Sequence, residues 1–146
     1  MSGDELARLL ARQEAAFERL FDQLREASAG QPDSAAKLSS AVRTALAFAG
    51  ENPEEARLLL RDVLGGEPEL SMRIFGYHRR LAGLMREQCE ARDRMSLPEV
   101  TEQALIGGAA ALVGTYFARG READLAGLED ELAEFLLRPY LGGGPG

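Results

Sequence analysis

The chain contains one cysteine, one histidine and one lysine in 146 residues. A single cysteine, Cys89, cannot build an internal disulfide framework and fits a reducing compartment. A single histidine, His78, leaves little for acid–base chemistry near neutral pH, where His is the usual group. The two lie eleven residues apart in one expected helix, roughly 16 Å along its axis, so they form no Cys–His couple within a subunit. No Glu-x-x-His and no Cys/His cluster of metal-ligand spacing occurs. G-x-S-x-G and a phosphate-binding glycine loop ending in Lys are also missing. The sequence thus offers no catalytic residue, no metal site and no cofactor motif, and reads as a non-enzyme.

Positive charge is scarce as well. Lys37 is the only lysine, the arginines are spread among acids, and the net charge is −7 with a pI near 4.8. Phosphate binding needs clustered Lys and Arg, so this chain alone is not expected to bind nucleic acid. The longest apolar run is about 15 residues against the roughly 20 needed for a membrane span. Met1-Ser2-Gly3-Asp4-Glu5 has neither the basic start nor the apolar core of a secretory signal. The expectation is a soluble, cytoplasmic protein with no membrane partner.

What the chain has is helical periodicity nearly throughout, with no strand-type alternation. Ser2–Glu5 reads as a capping box opening a helix over about 3–28, with Leu6, Leu9, Leu10, Phe17, Leu20, Phe21 and Leu24 as its stripe. Gln31-Pro32-Asp33 is a turn and cap, and Leu38, Val42, Ala45, Leu46 and Ala49 mark a second helix closed by Gly50. Asn52-Pro53-Glu54-Glu55 is a start signal, with an N-cap, a proline at the first helical position and acids on the positive dipole end. The third helix is expected over 53–64, with Val63 inward and Gly65-Gly66 stopping it. A fourth follows from 68 to about 92, with a charged break at Arg92-Asp93-Arg94. Ser96-Leu97-Pro98-Glu99 is another capping box and opens a fifth helix to about 119. Asp124 is expected to cap the sixth, which Pro139 ends. The fold class is all-α, an antiparallel bundle of about six helices: one domain over 1–142 with a disordered tail at 143–146.

The fifth helix is unusual. From Gln103 to Arg119 only Thr115 is clearly polar between the flanking polar residues. A helix apolar all round is buried on every side, and Gly inside a helix costs about 1 kcal/mol against Ala. The strip Gly107, Ala110, Ala111, Gly114 and Ala118, beside Gly108, therefore suggests a close approach of another backbone. That is either the chain's own core or a second subunit. The second alternative implies a homodimer with Gly107, Gly108, Ala111, Gly114, Leu128, Leu132 and Phe135 at its interface. With the small strip facing the partner, Leu112 and Tyr116 would turn inward. A mostly apolar pocket is then expected between the second, fourth and fifth helices. Its walls would be Phe48, Tyr77, Leu81, Met85, Leu112 and Tyr116, with His78 at the rim and both tyrosine hydroxyls inside. Tyr and Met at this spacing are equally the makings of a filled core.

The order of parts resembles the C-terminal ligand-binding and dimerisation domain of the tetracycline-repressor (TetR) family of bacterial transcriptional regulators. The resemblance runs from about Ser2 to Gly142. It rests on Phe48-Ala49-Gly50-Glu51-Asn52-Pro53-Glu54-Glu55-Ala56-Arg57-Leu58-Leu59-Leu60, on Ala104-Leu105-Ile106-Gly107-Gly108-Ala109, and on Leu136-Leu137-Arg138-Pro139-Tyr140-Leu141-Gly142. These are helix-and-cap patterns, without a catalytic signature. The resemblance implies that the last two long helices pair across a two-fold axis as a four-helix bundle, with the earlier helices surrounding an effector pocket. It implies a small hydrophobic or aromatic effector and a homodimer, with DNA bound only through an N-terminal helix-turn-helix. No counterpart of that head is in this chain, and Ser2-Gly3-Asp4-Glu5-Leu6 is similar to the family's junction after it. The alternative is a helical, homodimeric protein-interaction module with a filled core and no ligand.

Overall fold

The computed structural model describes residues 1–60, 67–89 and 97–141. Among them are six α-helices and two 3₁₀ segments, and no strand. The helices are α1 (Gly3–Ala29), α2 (Ser34–Glu51), α3 (Pro53–Leu59), α4 (Pro68–Cys89), α5 (Glu99–Ala118) and α6 (Glu129–Leu137). The 3₁₀ segments are Glu122–Leu128 and Arg138–Leu141. The expected end of the third helix beyond Leu60, the Arg92-Asp93-Arg94 break, Ser96 of the second capping box and the tail lie outside the described residues.

Local chemistry sets most of the boundaries. Ser2 Oγ accepts from the Glu5 amide at 3.1 Å, and Asp33 Oδ1 from the Ala36 amide at 2.8 Å, so α1 and α2 each satisfy one orphan N–H at their starts. Asn52 departs from its expected role. Its side chain donates to the Phe48 carbonyl at 3.0 Å and accepts from Arg19 at 3.1 Å, so it finishes α2 one residue past Gly50–Glu51 instead of capping α3. Gly120, with φ +67°, follows α5 in the left-handed conformation that Gly adopts at no steric cost.

The last helix is shorter than the sequence suggests. Asp124 caps nothing: its carboxylate accepts from Arg121 at 3.1 Å, and the chain winds as 3₁₀ until Leu128. The α-helix starts only where Glu129, Asp130 and Glu131 place three acids on the positive end of the dipole. Pro139 falls within the closing 3₁₀ turn.

The helices pack around one core. Leu38, Val42 and Leu46 of α2, Met85 and Cys89 of α4, Leu105 and Phe117 of α5, and Leu128, Leu132 and Leu136 of the C-terminal segment are its buried members. Gln13 of α1, fully buried, donates from Nε2 to the carbonyls of Leu58 and Leu70, both at 3.0 Å. It ties the end of α3 and the start of α4 to α1. Ser34 Oγ donates to the Gln88 carbonyl at 2.9 Å, which fixes the start of α2 beside the end of α4, so the two run antiparallel. Among the described residues no helix is long and apolar enough to cross a membrane.

Candidate functional site

An apolar cavity of about 190 Å³ lies inside the bundle. Every helix contributes to it: Phe17, Leu20 and Leu24 from α1, Leu38 to Ala49 from α2, Ala56 and Leu59 from α3, Tyr77 to Gln88 from α4, Ile106 to Val113 from α5, and Leu132 and Leu136 from α6. The polar side chains on its walls are Tyr77, His78 and Gln88; none of the described lining residues is Asp, Glu, Lys or Arg.

Five of the seven expected pocket residues, Phe48, Tyr77, His78, Leu81 and Met85, line this cavity. Tyr77 presents its ring, stacked on Phe17 with centroids 4.3 Å apart and planes at 16°. Burial is the main reason its pKa is raised, with the nearby Arg73 pulling the other way. Arg80 lies over the rings of Phe17 and Phe21 at 5.0 and 4.6 Å while paired with Glu18, closing that end of the wall from outside. Arg19 sits over Phe48 at 5.4 Å.

Leu112 and Tyr116 are not in the cavity, which corrects the expected rotation of α5. Leu112 is 39% exposed. Tyr116 packs on the core's flank, with Arg121 5.4 Å from its ring centroid. Ile106, Ala109, Ala110 and Val113 face the cavity instead. The rotation is set by Glu102, only 1% exposed. Its Oε1 accepts from Arg86 Nε at 2.8 Å and its Oε2 from the Tyr140 hydroxyl. Burial, then this hydrogen bond, holds the Tyr140 pKa far above its ordinary value. Arg86 is raised in turn by its bond to Glu102. A carboxylate tied to α4 on one oxygen and to the C-terminal turn on the other leaves α5 one orientation.

The same rotation corrects the expected interface set. Gly114, Leu128 and Leu132 are buried within their own chain and cannot meet a second subunit. Leu132 belongs to the cavity wall, because α6 turns that side toward α2. Gly107 is partly covered, whereas Gly108 and Ala111 are exposed, and Phe135 is 46% exposed. The Phe135 ring lies 3.4 Å from where a Cβ on Gly108 would stand. Ala104, Gly108, Ala111, Leu112 and Ala118 thus form an open apolar face on α5, continued by Phe135 of α6. Within one chain this helix is covered on one side only.

Sequence reasoning missed the contributions of α1, α3 and α6, and Gln88. The signal for Gln88 was present: with Tyr77, Leu81 and Leu84 it repeats at helical spacing along one face of α4. Its Nε2 donates to Ser28 Oγ, and Ser28 Oγ donates to the Leu24 carbonyl at 2.9 Å. Compared with known proteins, the chain matches no family model, no curated protein and no solved structure.

Proposed function

We propose that this chain is the effector-binding and dimerisation domain of a TetR-like bacterial transcriptional regulator, binding a small, mostly apolar molecule between its helices. The observation that carries the reading is the cavity. An engineered cavity of about 150 Å³ with Leu/Ile/Phe walls stays dry and takes benzene, and this one is larger, with the few polar groups that binding sites in helical proteins place on apolar walls. A core selected only for packing leaves few voids larger than a water molecule. Binding rather than catalysis is assigned because the described lining residues supply one imidazole and no carboxylate, amine or thiol beside it. The open face of α5 and Phe135 supports a second copy as the partner, and DNA would be bound through a helix-turn-helix supplied elsewhere.

The protein-interaction alternative has one observation in its favour, the exposed Met72 and Phe75 on the outer side of α4. A thermal-shift screen of apolar and aromatic compounds of varied shape separates the two. A ligand at a hundred times its Kd stabilises the fold by about 2.7 kcal/mol. If no compound raises the midpoint, the effector reading falls and the interaction module replaces it.

A further inference from the structure

The shape and wall chemistry of the cavity narrow the ligand class, on the premise that the cavity is an effector site. Tyr77 and Gln88 both line it, eleven residues apart on α4, which is roughly 16 Å along the axis. The lining of the antiparallel α2, from Leu38 to Ala49, spans the same length. About 190 Å³ drawn out over that distance is a slot, which suits a chain better than a ball. Set against a benzene-sized cavity of about 150 Å³, the volume suits roughly eight or nine heavy atoms.

One end of the slot has defined hydrogen-bonding polarity. The single proton of the buried Ser28 hydroxyl is directed at the α1 backbone, to the Leu24 carbonyl at 2.9 Å and the Arg25 carbonyl at 3.2 Å. The hydroxyl can therefore only accept from Gln88, so the Gln88 amide must turn its NH₂ to Ser28. Its carbonyl oxygen, an acceptor, is left for the slot. With no ionised lysine, arginine, aspartate or glutamate among the described lining residues, a charged ligand end near Gln88 would be buried without a counter-ion.

We propose that the cavity takes an uncharged, chain-like molecule of roughly eight or nine heavy atoms whose terminal hydrogen-bond donor, a hydroxyl or a primary amide, is given to Gln88 Oε1. A hydroxyl-terminated aliphatic chain is the simplest member of the class, and 1-octanol is a direct probe of it.

The test is a calorimetric and thermal-shift series on the whole chain with 1-octanol, octyl methyl ether, sodium octanoate, octylamine and the compact 1-adamantanol. The alcohol should bind best. The ether, which accepts but cannot donate, should be weaker by about fivefold, the loss of one net hydrogen bond. The two ions should be weaker by about tenfold or more, and adamantanol should not compete with octanol. Gln88→Leu should bring the alcohol down to the level of the ether; Gln88→Met serves if that variant does not fold, and the wild-type series decides the ligand class without either. Octanoate, octylamine or adamantanol equalling octanol, or an alcohol preference surviving in the Gln88 variant, would overturn this assignment while leaving an effector site standing. Failure of these probes together with the whole apolar and aromatic panel would remove the effector site itself.

Discussion

Glu102 is answered on both of its oxygens, and that is why a carboxylate can be buried in the first turn of α5. Removing Glu102 is costly because the buried Tyr140 hydroxyl loses its acceptor, whereas the part-exposed Arg86 can turn to water. Glu102→Ala, which strands the Tyr140 hydroxyl, should lower unfolding free energy by about 2–3 kcal/mol. Tyr140→Phe, which leaves Arg86 on the carboxylate, should cost only about 1–2 kcal/mol. Urea unfolding reads both. The tyrosines also set a pH dependence. In the unfolded chain a tyrosine ionises near pH 10, while folded Tyr140 and Tyr77 hold their protons to higher pH, chiefly through burial. Their contribution is complete below pH 10 and is lost as pH rises beyond it, since only the unfolded state then releases protons. Stability curves taken from pH 8 upward should fall above about 10 and flatten in Tyr140→Phe. Gln13 is the other buried polar anchor. Gln13→Leu should cost about 2 kcal/mol, as the Leu58 and Leu70 carbonyls lose its amide.

At the scale of the element, α5 presents two apolar sides of different character. The inner one, with Leu105, Val113 and Phe117, meets the core and cavity. The outer one carries Ala104, Gly108, Ala111 and Ala118, small enough for a second helix to approach its backbone. Because Ala111 is exposed within its own chain, Ala111→Arg should leave the subunit fold intact by circular dichroism. It should nonetheless convert a dimer at tens of micromolar to monomer by light scattering, since a buried unpaired charge at an interface is strongly unfavourable. A wild-type chain that is already monomeric there would remove the dimer from the proposal. The shortness of α6 matters to the same face: its nine residues carry one exposed aromatic, Phe135, so α5 supplies most of any contact.

For the molecule as a whole, the proposed effector site would set ligand affinity and stability against each other. A dry apolar cavity leaves its lining without partner atoms on one side, so filling it should help the free protein. Ala45, on the α2 wall, is a suitable point. Ala45→Leu is expected to raise the melting midpoint of the unliganded chain and to weaken the 1-octanol response. A matched substitution at the exposed Ala47 of α2, Ala47→Leu, should leave that response unchanged. The charge balance works at this scale too. With net charge −7 the chain alone should show no salt-resistant DNA binding in a fluorescence-anisotropy titration, because phosphate contacts need a basic surface.

What the sequence determined by itself is what local chemistry controls. The all-helical class, the starts of α1 and α2 at Ser2 and Asp33, and the pocket-facing side of α4 were all legible. Caps act within three residues, and an amphipathic stripe such as Tyr77, Leu81, Leu84 and Met85 states which way a helix faces. On α5 that statement is missing. Apolar side chains surround it nearly evenly, so periodicity could not choose a rotation, and the larger side chains Leu112 and Tyr116 were taken as inward. Only the tertiary structure decided it, through Arg86 and Tyr140, which reach Glu102 from sixteen and thirty-eight positions away in the chain. The broken last helix is the same lesson at shorter range. Asp124 had the composition of a cap, but Arg121 paired with its carboxylate, and the α-helix could begin only at Glu129.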